Sequence, residues 1–95
     1  MHTTPWAVLR EEALADPALR AAYERRRLAH ELGQQVRAWR TEAGLTQTEL
    51  AERIGTKQQT IARLEAGGRE PALSTLTRIA AALGGTIDVH LRRAS

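Results

Sequence analysis

The sequence predicts an all-α fold, a small helical bundle with a helical extension before it and a short strand after it. Three observations carry that prediction. Apolar residues recur three or four positions apart over most of the span from Leu19 to Leu83. Glycines stand where those runs end, at Gly44, Gly55, Gly67 and Gly84. Phe is absent, so the core must be built from Leu, Ile, Val and Ala, with Trp6, Trp39 and Tyr23 in support. Ninety-five residues suffice for one small domain and not for two independent cores.

Taken in order, Thr4-Pro5 offers a cap and a first-turn proline for a short helix to about Ala15, lined by Trp6, Leu9 and Ala13. Asp16-Pro17 repeats that start signal more strongly. From there nothing breaks a helix before Ala43 except Gly33, which is expected to bend it. Leu19, Tyr23, Leu28, Leu32, Val36 and Trp39 mark its apolar side, and Gly44 ends it. Thr46 followed by Glu49 is a capping-box pattern for the next helix. Leu50 and Ile54 fall on one face of that helix, with the small Ala51 permitting a close crossing. Gly55 then suits a left-handed turn. Thr56 is expected to cap the following helix, which turns Ile61 and Leu64 inward. At about 100° per residue, its outer face carries Gln59, Ala62, Arg63 and Ala66, with Lys57 and Gln58 in the open first turn. After the loop at residues 67–71, Ser74 is expected to cap a helix through Leu83 with Leu76, Ile79, Ala80 and Leu83 inward. Residues 86–91 alternate polar and apolar, as a half-buried strand does. A lone strand leaves its backbone groups unpaired, so pairing with the same strand of a second copy is expected through Ile87, Val89 and Leu91. The alternative is an extended tail along the body. The resulting organisation is a helical arm over residues 1–28, a central domain over 29–85 and a strand with tail over 86–95.

Composition narrows the chemistry. With no cysteine there is neither a disulfide framework nor a thiolate metal site. No apolar run approaches the roughly 20 residues of a membrane helix and no signal peptide opens the chain, so a soluble, cytoplasmic protein is expected, with no membrane partner. Serine occurs only at Ser74 and Ser95, and His2, His30 and His90 are isolated, without metal-ligand spacing. Asp88 and His90 share a strand face, a pattern that surface polarity alone explains. There is no glycine-rich phosphate loop. An enzyme is therefore not expected, and neither is a cofactor, a metal or a small-molecule substrate. The net charge is +3, with Lys57 the only lysine. That suits a local basic patch better than nonspecific coating of nucleic acid.

Two short helices joined by a glycine turn, the second with a glutamine-rich outer face, have the sequence form of a helix-turn-helix, which reads DNA in the major groove. Gln makes paired hydrogen bonds to the N6/N7 edge of adenine and Arg to the O6/N7 edge of guanine, while alanines let the helix sit deep. Gln58, Gln59 and Arg63 are thus the expected base readers, assisted by Lys57. Thr46, Thr60 and Arg69 are placed to hold the DNA backbone. The plainer alternative is a solvated polar face, in which Gln59 closes a capping box with Thr56.

The residues Leu45-Thr46-Gln47, Leu50-Ala51, Gly55, Gln58-Gln59-Thr60-Ile61, Leu64-Glu65 and Gly67 resemble the lambda-repressor-like class of helix-turn-helix proteins, the Cro or XRE type, over about residues 32–84. The resemblance implies a five-helix bundle whose first helix is the later part of the long one. It also implies that Gln47 meets a DNA phosphate, and that Arg40 pairs with Glu65 in a structural role. A narrower resemblance covers nearly the whole chain. The segment Leu14-Ala15-Asp16-Pro17 to Ala22-Tyr23-Glu24, followed by this domain and a strand, is similar to HigA-type antitoxins, partners of RelE/HigB-like ribonuclease toxins. It implies a homodimer that represses its own operon on double-stranded operator DNA and sequesters a toxin. Trp6, Leu9, Leu14, Leu19, Tyr23 and Arg26 would contact that toxin. Lys57 departs from the small polar residue usual in the class and Trp39 from the usual aliphatic one. The competing reading is a stand-alone repressor whose arm only enlarges the core.

Overall fold

Asp16 and Pro17 start the first long helix as their types require. The computed structural model describes residue 11 and residues 15–93. The helix expected from Thr4, and with it Trp6, Leu9 and Leu14, lies outside the described residues. Among the described residues there are four helices: α1 (Pro17–Glu42), α2 (Gln47–Ile54), α3 (Gln58–Glu65) and α4 (Leu73–Ala82). The Asp16 carboxylate accepts the Ala18 N–H at 2.8 Å, and Pro17 occupies the first turn, where its missing N–H costs nothing. The five helices implied by the family resemblance are not reached, because no helix follows α4 in the described chain.

α1 runs through Gly33 without interruption. The glycine serves a different end from the expected bend. A Cβ there would run into the Leu64 carbonyl oxygen and stand 2.8 Å from that of Glu65, so its absence lets the end of α3 lie directly on α1. The core gathers around this approach. Val36 of α1, Leu50, Ala51 and Ile54 of α2, Ile61 and Leu64 of α3, and Leu76 and Ile79 of α4 form one buried cluster, flanked by Leu32, Ala82 and Leu83. Arg78 donates to the Ile54 carbonyl at 2.8 Å and so satisfies an end of α2 from α4.

Two expected caps are displaced. Gly55 turns left-handed at φ 73°, and the Thr56 N–H returns to the Ala51 carbonyl at 2.9 Å. Thr56 is thereby used in closing α2, and Lys57 becomes the N-cap of α3 without a side-chain hydrogen bond. Gln59 accordingly closes no capping box with Thr56. Ser74 likewise lies inside α4, which starts at Leu73 with Ala72 as N-cap; the Leu76 N–H already bonds to the Ala72 carbonyl at 3.0 Å.

The expected C-terminal dimerisation strand is corrected most fully. No strand occurs among the described residues, and 86–93 has no regular structure. Among the described residues, Ile87, Val89 and Leu91 take part in no ladder. Instead Gly84 turns at φ 82°, the Gly85 N–H bonds the Ala80 carbonyl at 2.8 Å, and the Trp39 ring covers Gly85 so closely that a Cβ would meet it at 2.6 Å. The tail then follows the body beside α1 and α4. No helix among the described residues is long and apolar enough to cross a membrane.

Candidate nucleic-acid interface

α2 is a scaffold with a satisfied start. The Glu49 N–H donates to the Thr46 hydroxyl, and the Thr46 N–H donates back to the Glu49 carboxylate, both at 3.0 Å. That backbone donor first, then the Thr46 hydroxyl and the charge of Arg53, hold the Glu49 carboxyl below its ordinary range against a small desolvation. Leu50 and Ala51 are buried, and α3 crosses over them with Ile61 and Leu64 inward. The opposite side of α3 is open: Gln59, Arg63 and Ala66 are exposed and Ala62 is half-buried. Lys57, Gln58, Thr60 and Arg69 are exposed as well, and Thr46 stands beside them at the start of α2.

A polar chain beneath this surface ties the two helix starts together. Arg40 donates to both Glu65 oxygens, from Nε at 2.6 Å and Nη2 at 2.9 Å, and from Nη1 to the Leu45 carbonyl at 2.7 Å. The Arg40–Glu65 pair implied by the resemblance is therefore present, bidentate and nearly buried, with the Glu65 side chain 4% exposed. Gln47 Nε2 donates to Glu65 Oε1 at 3.1 Å, and Gln58 Nε2 donates to Gln47 Oε1 at 2.7 Å. Burial pushes the Glu65 carboxyl upward. The hydrogen bonds from Arg40 and Gln47, with the charges of Arg40 and Arg37, outweigh it, so the group stays ionised and its value falls below the ordinary one.

This arrangement has a chemical consequence for recognition. Gln58 is held through one amide hydrogen, which leaves its second amide hydrogen and its carbonyl oxygen, the pair that an adenine edge takes. Gln47 is half-buried and keeps one amide hydrogen that its bond to Glu65 does not use. The Gln47–Gln58 link and the role of Gly33 were missed in the sequence. Each depends on a spatial approach between segments that no local spacing reveals. The remaining expected contacts lie elsewhere: Leu19, Tyr23 and Arg26 are exposed on the first half of α1, and Ile87, Val89 and Leu91 are on the tail.

A helix-turn-helix family model matches residues 36–90, more than half of the chain. The chain belongs to the helix-turn-helix family. An uncharacterised HTH-type transcriptional regulator from Methanothermobacter thermautotrophicus is 55% identical over 49 residues, which is 52% of this chain and 71% of that protein. Antitoxin HigA1 from Mycobacterium tuberculosis is 37% identical over 82 residues, 86% of this chain, and the match spans 52% of the antitoxin, about half its length. Among solved structures, the clp gene regulator ClgR from C. glutamicum superposes with a TM-score of 0.61 at 32% identity, covering 63% of this chain and 77% of that one. The chain is thus an XRE-type, DNA-binding helix-turn-helix regulator.

Proposed function

We propose that this regulator is an antitoxin. It neutralises a RelE/HigB-like ribonuclease toxin by direct binding, and it represses its own operon as a dimer on operator DNA. In this reading α3 enters the major groove, where Gln58, Gln59 and Arg63 read bases with help from Lys57. Thr46, Gln47, Thr60 and Arg69 hold phosphates. The toxin is taken by the arm, with Leu19, Tyr23 and Arg26 as contacts on α1 and Trp6, Leu9 and Leu14 before it. The protein acts in the cytoplasm by binding and carries out no reaction.

The observation that carries the antitoxin reading is the reach of the HigA1 similarity. A match of 82 residues is too long for residues 36–90 and the few that follow, so it takes in much of the first half of α1. That half is also where Leu19 and Tyr23 stand exposed with no DNA-reading role, and exposed aromatic residues are favoured anchors at interfaces. A tagged pull-down from the source cells tests the reading. A stoichiometric small basic companion that arrests growth when expressed alone is the expected result.

A second reading, a stand-alone repressor, is favoured by the stronger identity to an HTH-type regulator over 49 residues. Recovery of this chain with operator DNA and no protein companion would select it. Both readings share the base contacts. Arg63→Ala is expected to cost about 1–3 kcal/mol and relax specificity at one base pair. Equal loss on all sequences in a binding titration would make Arg63 a phosphate contact instead.

A further inference from the structure

The charges of α1 are sorted by face. Projected at about 100° per residue, its acids Glu24, Glu31 and Glu42 fall within about 20° of one another. Arg26, His30, Gly33, Arg37 and Arg40 form a stripe on the nearly opposite side, with no acid in it. Pairing follows the faces. Arg27 is held by Glu24 and Glu31, and Arg25 by Glu70, yet Arg26 between them makes no ion pair among the described residues. Neither does Arg37, although Arg40 one turn on is locked to Glu65. Arg26, His30 and Arg37 are all exposed.

The stripe runs past the point where the reading unit ends. Gly33 lies under the last carbonyls of α3, and a Cβ on Gly67, just beyond α3, would stand 3.0 Å from the His30 Cα. Arg37 is near enough to Glu65 for its charge to help keep that carboxyl ionised. Arg63 and Arg69, exposed to either side of Gly67 in the chain, add positive charge at the same end of α3. Arg26 and His30 precede residues 36–90, so they lie outside the domain common to the family.

We propose that this stripe holds the phosphates of one DNA strand beyond the base pairs that α3 reads, through Arg26, His30 and Arg37. The inference rests on the docking of α3 in the major groove. DNA presents its negative charge along the backbone whatever the sequence. A row of exposed cations without an acid suits that backbone, and such contacts fix the register of a protein on the duplex without choosing bases. His30 needs no charge for the role, since a neutral imidazole still donates one N–H. From Arg26 to Arg37 the helix rises about 16 Å, on the order of five steps of ~3.4 Å along one strand, so the side chains meet separate phosphates. Arg26 is also a candidate toxin contact. The companion expected in that reading is itself basic, and an unpaired arginine fits a phosphate better.

The test is fluorescence anisotropy of the full chain on DNA across a potassium chloride series. One probe is a long duplex carrying the sequence that the protein selects from a random pool. A second is that sequence trimmed to the base pairs whose identity matters, and a third is a long random-sequence duplex. Arg26→Gln and Arg37→Gln are compared with wild type and with Arg27→Gln, which changes net charge equally from another face. Circular dichroism checks the folding of each. On both long duplexes, Arg26→Gln and Arg37→Gln should each lower the slope of log affinity against log salt by about 1 and leave base preference unchanged. Arg27→Gln should keep the wild-type slope. Trimming should erase the difference between wild type and Arg26→Gln. Wild-type slopes in both stripe variants, or an equal loss in Arg27→Gln, would overturn the proposal; so would a chain that binds none of the duplexes. Failure of the α3 docking reads differently. Arg63→Ala would then leave base preference unaltered, while slope losses in the stripe variants on the random-sequence duplex would still support the stripe.

Discussion

The two halves of α1 share one helix and differ in almost everything else. From Pro17 to Leu28 no residue is buried, and its apolar residues Leu19, Tyr23 and Leu28 face solvent. From Ala29 to Glu42 the helix carries three buried positions, Ala29, Gly33 and Val36. The charges follow a similar division, with the exposed Arg25–Glu70 pair at 3.4 Å the exception. Arg27 pairs with Glu24 at 2.7 Å and Glu31 at 2.8 Å along its own helix, whereas Arg40 reaches 25 residues away to Glu65. Local pairs on a wet surface add little to stability. A pair shielded from water holds two helices in register, and here it also holds Gln47, which in turn accepts from Gln58. The second half is architecture for the reading unit, and the first half is surface available to a partner.

The largest effect expected from breaking this division is at Glu65. Glu65→Ala leaves the Arg40 guanidinium buried without its partner and should cost about 3–5 kcal/mol, read as a lower melting temperature. It should also loosen Gln47 and Gln58 and so weaken DNA binding beyond the loss of stability. The same pair makes a pH prediction. The folded carboxyl lies below its ordinary value of 4.5, so its contribution is complete above that value and is lost as pH falls through the folded one. Melting curves should therefore show wild-type stability dropping in acid, with a shallower drop in Glu65→Gln. Equal slopes would mean that Glu65 is not the group responsible.

Next in size is Gly33→Ala. The added methyl meets the backbone of Leu64 and Glu65, which cannot rotate away, so α3 must move off α1 at a cost of about 1–3 kcal/mol. A variant as stable as wild type in urea titration would show that the approach is looser than described. The smallest effect on stability belongs to the first half. Leu19→Ala and Tyr23→Ala should change it by no more than about 0.5 kcal/mol while abolishing capture of the proposed toxin. A large loss of stability with capture intact would instead make this stripe part of a core.

Much of this was legible in the chain. The capping box at Thr46 and Glu49, the left-handed Gly55 and the inward Leu50, Ile54, Ile61 and Leu64 are local patterns with fixed periods. The Asp16-Pro17 start is equally local. The displaced caps at Lys57 and Ala72 show the limit of that reasoning. Two adjacent candidates compete for a helix start, and the outcome depends on which N–H the preceding turn has already taken.

The sequence by itself determined the helices, their apolar faces and the polar outer surface of α3, because each follows from spacing within a few residues. Tertiary structure decided which of those faces met. It turned Gly33 from a bend into a contact, linked Gln47 to Gln58 through the buried Glu65, and laid residues 86–90 beside α1 and α4 as the wall of a groove. The physical reason is the same in each case. Close packing and buried ion pairs join residues far apart in the chain, and alternation in a single segment supplies no partner for its backbone.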